Sequence, residues 1–230
     1  MARKPITFKH RDGNITFRIN RSEVEIEGTT AFKKGSEEKQ AFKGKIRVNP
    51  EAVFEAYKLT KQAVEGQEIE NGKIVFFKNG FRRIPYFTIG KPANVSEGFI
   101  KRKGVFTLFA ENQRENMASR FILTLNDLIS LLGFLKQMPM RFKIGDVIFE
   151  RRNGRFSMIN PFYENIEDTD IERLKIALKQ FLSGKEDIIP AYIGNEASLF
   201  KKDGKFILRT DSKDFEITED VAKDFWTFLN

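Results

Sequence analysis

The chain has 230 residues, no cysteine, and 40 Lys and Arg against 32 Asp and Glu, a formal charge of +8. The missing thiols exclude disulfides and thiolate metal sites and are compatible with a reducing compartment, so an intracellular location is expected. No stretch approaches the roughly 20 apolar residues of a membrane span, and the charged start Met1-Ala2-Arg3-Lys4-Pro5 lacks the apolar core of a signal peptide. Hydrophobic residues at 40% and charged residues at 31% exclude a disordered or collagenous chain, and the basic surplus favours polyanionic partners, nucleic acid first.

The first hairpin phrase is Thr7-Phe8-Lys9-His10-Arg11-Asp12-Gly13-Asn14-Ile15-Thr16-Phe17, with Asp-Gly as its turn. After a polar loop, Gly35-Ser36-Glu37-Glu38-Lys39, and a strand at 45–48, helical spacing runs from Pro50 to Val64 with Asn49 as a start signal. Asn79-Gly80 then predicts an extra or lengthened hairpin across residues 73–89. The looser phrase Phe99-Ile100-Lys101-Arg102-Lys103-Gly104-Val105-Phe106 follows, and a strand at 120–125 leads into a helix from Asn126 with Pro139 as its stop.

Ile148-Phe149-Glu150-Arg151-Arg152-Asn153-Gly154-Arg155-Phe156 repeats the hairpin chemistry, followed by a strand at 162–166 and a helix from Thr169 to Gly184. Leu199-Phe200-Lys201-Lys202-Asp203-Gly204-Lys205-Phe206 is a further copy, with a strand at 215–218 and a final helix capped by Thr218. Phe87-Thr88-Ile89-Gly90, Phe142-Lys143-Ile144-Gly145 and Tyr192-Ile193-Gly194 read as equivalent first strands. The order is several strands and then one helix, repeated with unit limits near 67, 138 and 185. The predicted fold is therefore α+β, with antiparallel strand-strand-helix units forming twisted sheets with helices on one face. Residues 1–138 would hold one pair of units and residues 139–230 the other.

Phe87-Thr88-Ile89-Gly90-Lys91, the basic hairpin at 99–109 and Phe121-Ile122-Leu123-Thr124-Leu125-Asn126-Asp127 occur in the order seen in the positive cofactor four transcriptional coactivators, which they resemble. Ser119-Arg120-Phe121-Ile122-Leu123-Thr124-Leu125 is also similar to Whirly and Pur-alpha proteins. The resemblance covers residues 86–136 and departs from the compact pattern in the first-unit loop and the extra hairpin at 73–83. It implies single-stranded nucleic-acid binding in transcription, replication or repair without enzymatic activity. It also implies paired units, either as internal pseudo-dimers in a monomer or as a homodimer.

Single-strand binding needs cations that follow phosphates and flat side chains that stack on bases. The hairpin cations are Lys9, Arg11 and Arg18, then Lys78, Arg82, Arg83, Lys101, Arg102 and Lys103, and later Arg151, Arg152, Arg155, Lys201, Lys202, Lys205 and Arg209. Turn-flanking Lys and Arg can instead protect edge strands from aggregation. Among the 24 Phe, Phe76, Phe77, Phe81, Phe106, Phe109, Phe149, Phe156, Phe200 and Phe206 lie beside those cations. For each the core is the stronger reading, and Phe76 and Phe106 are the stacking candidates.

The acidic runs at 164–170 and 211–220 read as helix starts rather than metal sites, and His10, the sole histidine, reads as a turn residue. No cofactor is expected, and no GxxxxGK[ST] phosphate loop is present. The expected partner is single-stranded DNA, with RNA or an acidic protein as alternatives and no membrane.

Overall fold

Short strands followed by a helix recur in the computed structural model, which describes residues 4–10, 13–20, 23–28, 32–33, 42–47, 49–65, 74–75, 86–90, 106–112, 117–161 and 163–230. The fold is α+β with antiparallel sheets, and the chain divides into two compact units, Met1–Pro139 and Met140–Asn230. Among the described residues no helix is long and apolar enough to cross a membrane.

In the first unit, β1 (Ile6–His10), β2 (Gly13–Asn20) and β3 (Glu23–Gly28) lie side by side. The two-residue β4 (Phe32–Lys33) leaves that sheet, and β5 (Phe42–Arg47) closes it beside β3. Asn49 then accepts the Glu51 and Ala52 backbone N–H groups to start α1 (Pro50–Val64), where Pro50 occupies a position that needs no N–H.

The second sheet contains β6 (Ile74–Val75), β7 (Tyr86–Gly90), β8 (Phe106–Asn112) and β9 (Met117–Leu123), in the order β4-β9-β8-β7-β6. β6 pairs with β7, so an extra strand stands beside Phe87–Gly90, while the predicted turn at Asn79-Gly80 lies outside the described residues, as does the loop at 35–39. Thr124 and Asp127 form a reciprocal capping box at α2 (Leu125–Leu135), whose Phe134 meets Phe17 of β2 at 6.1 Å. Each helix thus reaches the sheet of the other repeat: α2 packs on β1 as well as on its own β9, and α1 packs on β6.

The second unit repeats one plan twice. β10 (Met140–Ile144), β11 (Val147–Arg152), β12 (Arg155–Asn160) and β13 (Glu164–Ile166) precede α3 (Asp168–Leu182). β14 (Ala191–Ile193), β15 (Ala197–Lys202), β16 (Lys205–Thr210) and β17 (Asp214–Glu216) precede α4 (Glu219–Leu229). Both sheets run in sequence order. Asn153 and Gly154 have φ of 55° and 80°, and Asp203 and Gly204 have 49° and 76°, the paired left-handed conformation of a two-residue hairpin turn.

The helices again cross over. α3 packs on β14 and β15, where Phe181 stacks on Phe206 at 4.4 Å. From α4, Phe225 lies 4.7 Å from Phe149 and 5.4 Å from Phe142, and Phe228 lies 5.8 Å from Phe156. A fully buried Phe such as Phe225 is worth about 3–5 kcal/mol against alanine, so the apolar core of each repeat is supplied largely by its neighbour's helix.

One predicted equivalence changes. The phrase from Thr7 to Phe17 forms the β1–β2 hairpin, whereas the phrases at 148–156 and 199–206 form β11–β12 and β15–β16, the second and third strands of their sheets. The shared Asp-Gly or Asn-Gly chemistry marks a tight turn without marking its place in the strand order.

Candidate nucleic-acid interface

Alternation along the strands sorts the basic residues of the second unit into two faces. In the first of its sheets, Met140, Phe142, Ile144, Val147, Phe149, Phe156 and Met158 are buried. The opposite register carries Arg141, Lys143, Arg152 and Arg155. Glu150 lies among them at 8% exposure, 2.8 Å from Arg141 and 3.2 Å from Arg152. Arg152 stands directly opposite Arg155 at the hairpin tip.

The second sheet has the same plan with more aromatic surface. Ala191, Ile193, Leu199, Phe206 and Leu208 are buried, leaving Tyr192, Phe200, Lys202, Lys205, Ile207 and Arg209 in the other register. Tyr192 is 56% exposed. Lys202 faces Lys205 directly, reproducing the like-charged tip. Arg209 lies 4.7 Å over the Phe200 ring and makes a forked pair with Asp214 at 2.8 and 2.9 Å. That hydrogen bonding holds the Asp214 carboxyl below the usual carboxylate range and raises Arg209, while the Glu216 hydrogen bond at 2.7 Å pushes Lys205 up.

Two predicted contact residues point elsewhere. Arg151 pairs with Phe156 and shares its register, so its guanidinium lies on that ring at 5.2 Å, with Nε and Nη1 buried and lacking a hydrogen-bond partner. Lys201 pairs with Phe206, and its Nζ donates to the Lys185 carbonyl just beyond α3 at 3.3 Å. Arg152, Arg155, Lys202, Lys205 and Arg209 are exposed and lie on the register opposite the buried residues of their sheets. In the first unit Lys9 and Arg18 are exposed and share a register, but Arg18 is opposite Glu25 and pairs with Glu27. Phe106 opens β8 opposite Leu123. Arg11, Phe76, Lys78, Arg82, Arg83, Lys101, Arg102 and Lys103 lie outside the described residues.

Phe149, Phe156 and Phe206 are core residues, which leaves Phe200, of these four, on the register opposite the buried set, with Tyr192. Arg141, Lys143 and Tyr192 were missed by reading the hairpins alone. Counting back by twos from Ile144 or Ile193 would have found Lys143 and Tyr192 opposite the buried set. Asp168, Asp170, Glu219 and Asp220 occupy first helical turns, and Asp214 and Glu216 pair with cations. Among the described residues no group of three His, Cys, Asp or Glu could hold a metal ion.

Comparison with family models, curated proteins and solved structures returns no match.

Proposed function

We propose that the chain is a non-enzymatic binder of single-stranded nucleic acid, preferring single-stranded DNA over duplex DNA, through the sheet registers of its second unit that lie opposite the buried residues. The carrying observation is the like-charged pair at each hairpin tip, Arg152 with Arg155 and Lys202 with Lys205. Like charges directly opposite one another destabilise a sheet. Edge protection does not account for them, because β11, β12, β15 and β16 are the inner strands of their sheets. A phosphate bridging two such cations turns the repulsion into attraction, and Tyr192 and Phe200 offer neighbouring ring surface for unpaired bases.

The test is a titration at moderate salt with single-stranded DNA, duplex and RNA of equal length, run on the wild type and on Phe200→Leu. Tightest binding to single-stranded DNA, weakened by about 1–3 kcal/mol in the variant with an unchanged salt slope, supports base stacking. Equal, weak binding to all three would leave only a charged surface. Strong binding to an acidic protein, indifferent to Phe200, would make the chain an interaction module instead.

A further inference from the structure

We infer that the groove between the two repeats of the second unit seats one unstacked nucleotide of the bound strand, with its phosphate at Lys143 and Lys213 and its base against Phe215 and Ile148. This deepens the single-strand reading and rests on it. The groove encloses about 490 Å³ where the β10–β11 turn of one repeat meets the β16–β17 turn of the next. That volume falls within the roughly 300–1,000 Å³ of small-ligand sites.

The walls divide by chemistry. Phe215 lies against the backbone of Gly145, whose φ is +57° and where an added Cβ would stand 2.3 Å from the ring. A side chain at that position would therefore push the ring out of place, and glycine leaves the aromatic surface lodged in the groove. Lys213 reaches across to Asp146 at 2.7 Å, joining the two turns, with both side chains well exposed. An exposed pair of this kind contributes little to stability, so Lys213 can exchange its carboxylate for a phosphate at small cost. Ser212 adds a hydroxyl to the lining.

The groove borders the basic face on its Lys143 and Ile148 wall, while Phe215 comes from the register of the buried Leu208. Lys143 stands directly opposite Ile148 in the β10–β11 ladder, in the register of Arg141 and Arg152, so a strand following those cations arrives at the groove mouth. The matching junction at the other end of the pseudo-symmetric unit is chemically different. There Gly194 meets Glu164 rather than an aromatic ring, with the carboxylate oxygen 2.7 Å from the Cβ position. Where Phe215 offers a ring at the first junction, Glu164 offers only a carboxylate, so the stacking surface of the seat is present once and not twice.

Photo-cross-linking tests this directly. Oligothymidylates carrying a single 5-iodouracil at successive positions are irradiated with the full chain, and the adducts are mapped by mass spectrometry. One position should cross-link to the peptide containing Phe215, with the yield falling several-fold in the exposed double variant Lys143→Gln, Lys213→Gln, whose fold is checked by thermal melting. Phe215→Leu, where it folds, should bind at least about fivefold more weakly. Normal strand affinity in the double variant, with cross-links confined to Tyr192 and Phe200, overturns the groove and leaves the sheet reading standing. Failure of the wild type to bind any single strand overturns both.

Discussion

Replacing Arg155 by Glu is expected to stabilise the fold and weaken strand binding at once, a combination of signs that a purely structural residue does not produce. Arg155 faces Arg152 across the hairpin tip, and both side chains are exposed. An opposite-charge pair in that position contributes roughly 0.2–1 kcal/mol, and the substitution also removes an existing repulsion. For a unit the size of Met140–Asn230, a gain of about 0.5 kcal/mol raises Tm by about 2–4 °C.

Two phosphate contacts are lost, because one guanidinium is gone and the other is neutralised, so the slope of log K against log salt flattens by about 1.4. Between about 50 and 200 mM salt the wild type should therefore lose roughly sevenfold more affinity than the variant. Fluorescence anisotropy with a labelled oligothymidylate across that range, alongside thermal melts, reads both quantities, and Arg155→Gln should give about half the change in slope. A stabilised variant that binds with the wild-type slope would remove the tip cations from the interface. A destabilised one would mean that the two arginines do not oppose each other.

Glu150→Gln removes the one carboxylate shared by Arg141 and Arg152, strengthening binding and steepening the salt slope by up to about 0.7; weaker binding would count against that face. Phe225→Ala should cost about 3–5 kcal/mol, and hydrogen exchange should show β11 and β15 losing protection together, since separate loss would mean that the repeats do not share a core. The Asp214 carboxyl is depressed by Arg209, so its stabilisation is complete above an unfolded value of about 3.9 and fades as pH falls through its lower folded value. Lys205 is raised by Glu216, so its contribution holds below about 10.4 and fades as pH rises through its higher folded value. Strand affinity should accordingly be flat from about pH 6 to 9, and a titration midpoint inside that window would show that a different group controls binding.

Helix starts and hairpin turns were legible because their chemistry is local. Asn49-Pro50, Thr218 and the Asn153-Gly154 pair each satisfy or shape backbone within a few residues, and the structure has α1, α4 and the β11–β12 turn where those residues stand. The direction of Arg151 was also within reach. A two-residue turn at 153–154 forces Arg151 opposite Phe156, and a buried Phe156 carries Arg151 to the core side. Nearness to the turn does not decide which face of the sheet a cation takes.

Other features depend on tertiary register. The apolar stripe of α4 announces a buried face without naming the sheet that covers it, so the contact of Phe225 with Phe149 could not be read from either segment. The approach of Phe215 to Gly145 likewise follows from how the β16–β17 turn is placed, which no spacing rule specifies.

The crossed helices also constrain how the chain reaches its native state. During synthesis, Phe142 and Phe149 emerge long before Phe225, so the first sheet of the second unit leaves the ribosome with its apolar side uncovered. Contacts so distant in sequence give a high contact order and slow folding, because a long loop must close before the rings meet. Until then the exposed rings are a natural client surface for chaperones, and a ribosome stalled between the two repeats would display an aggregation-prone half rather than a folded one.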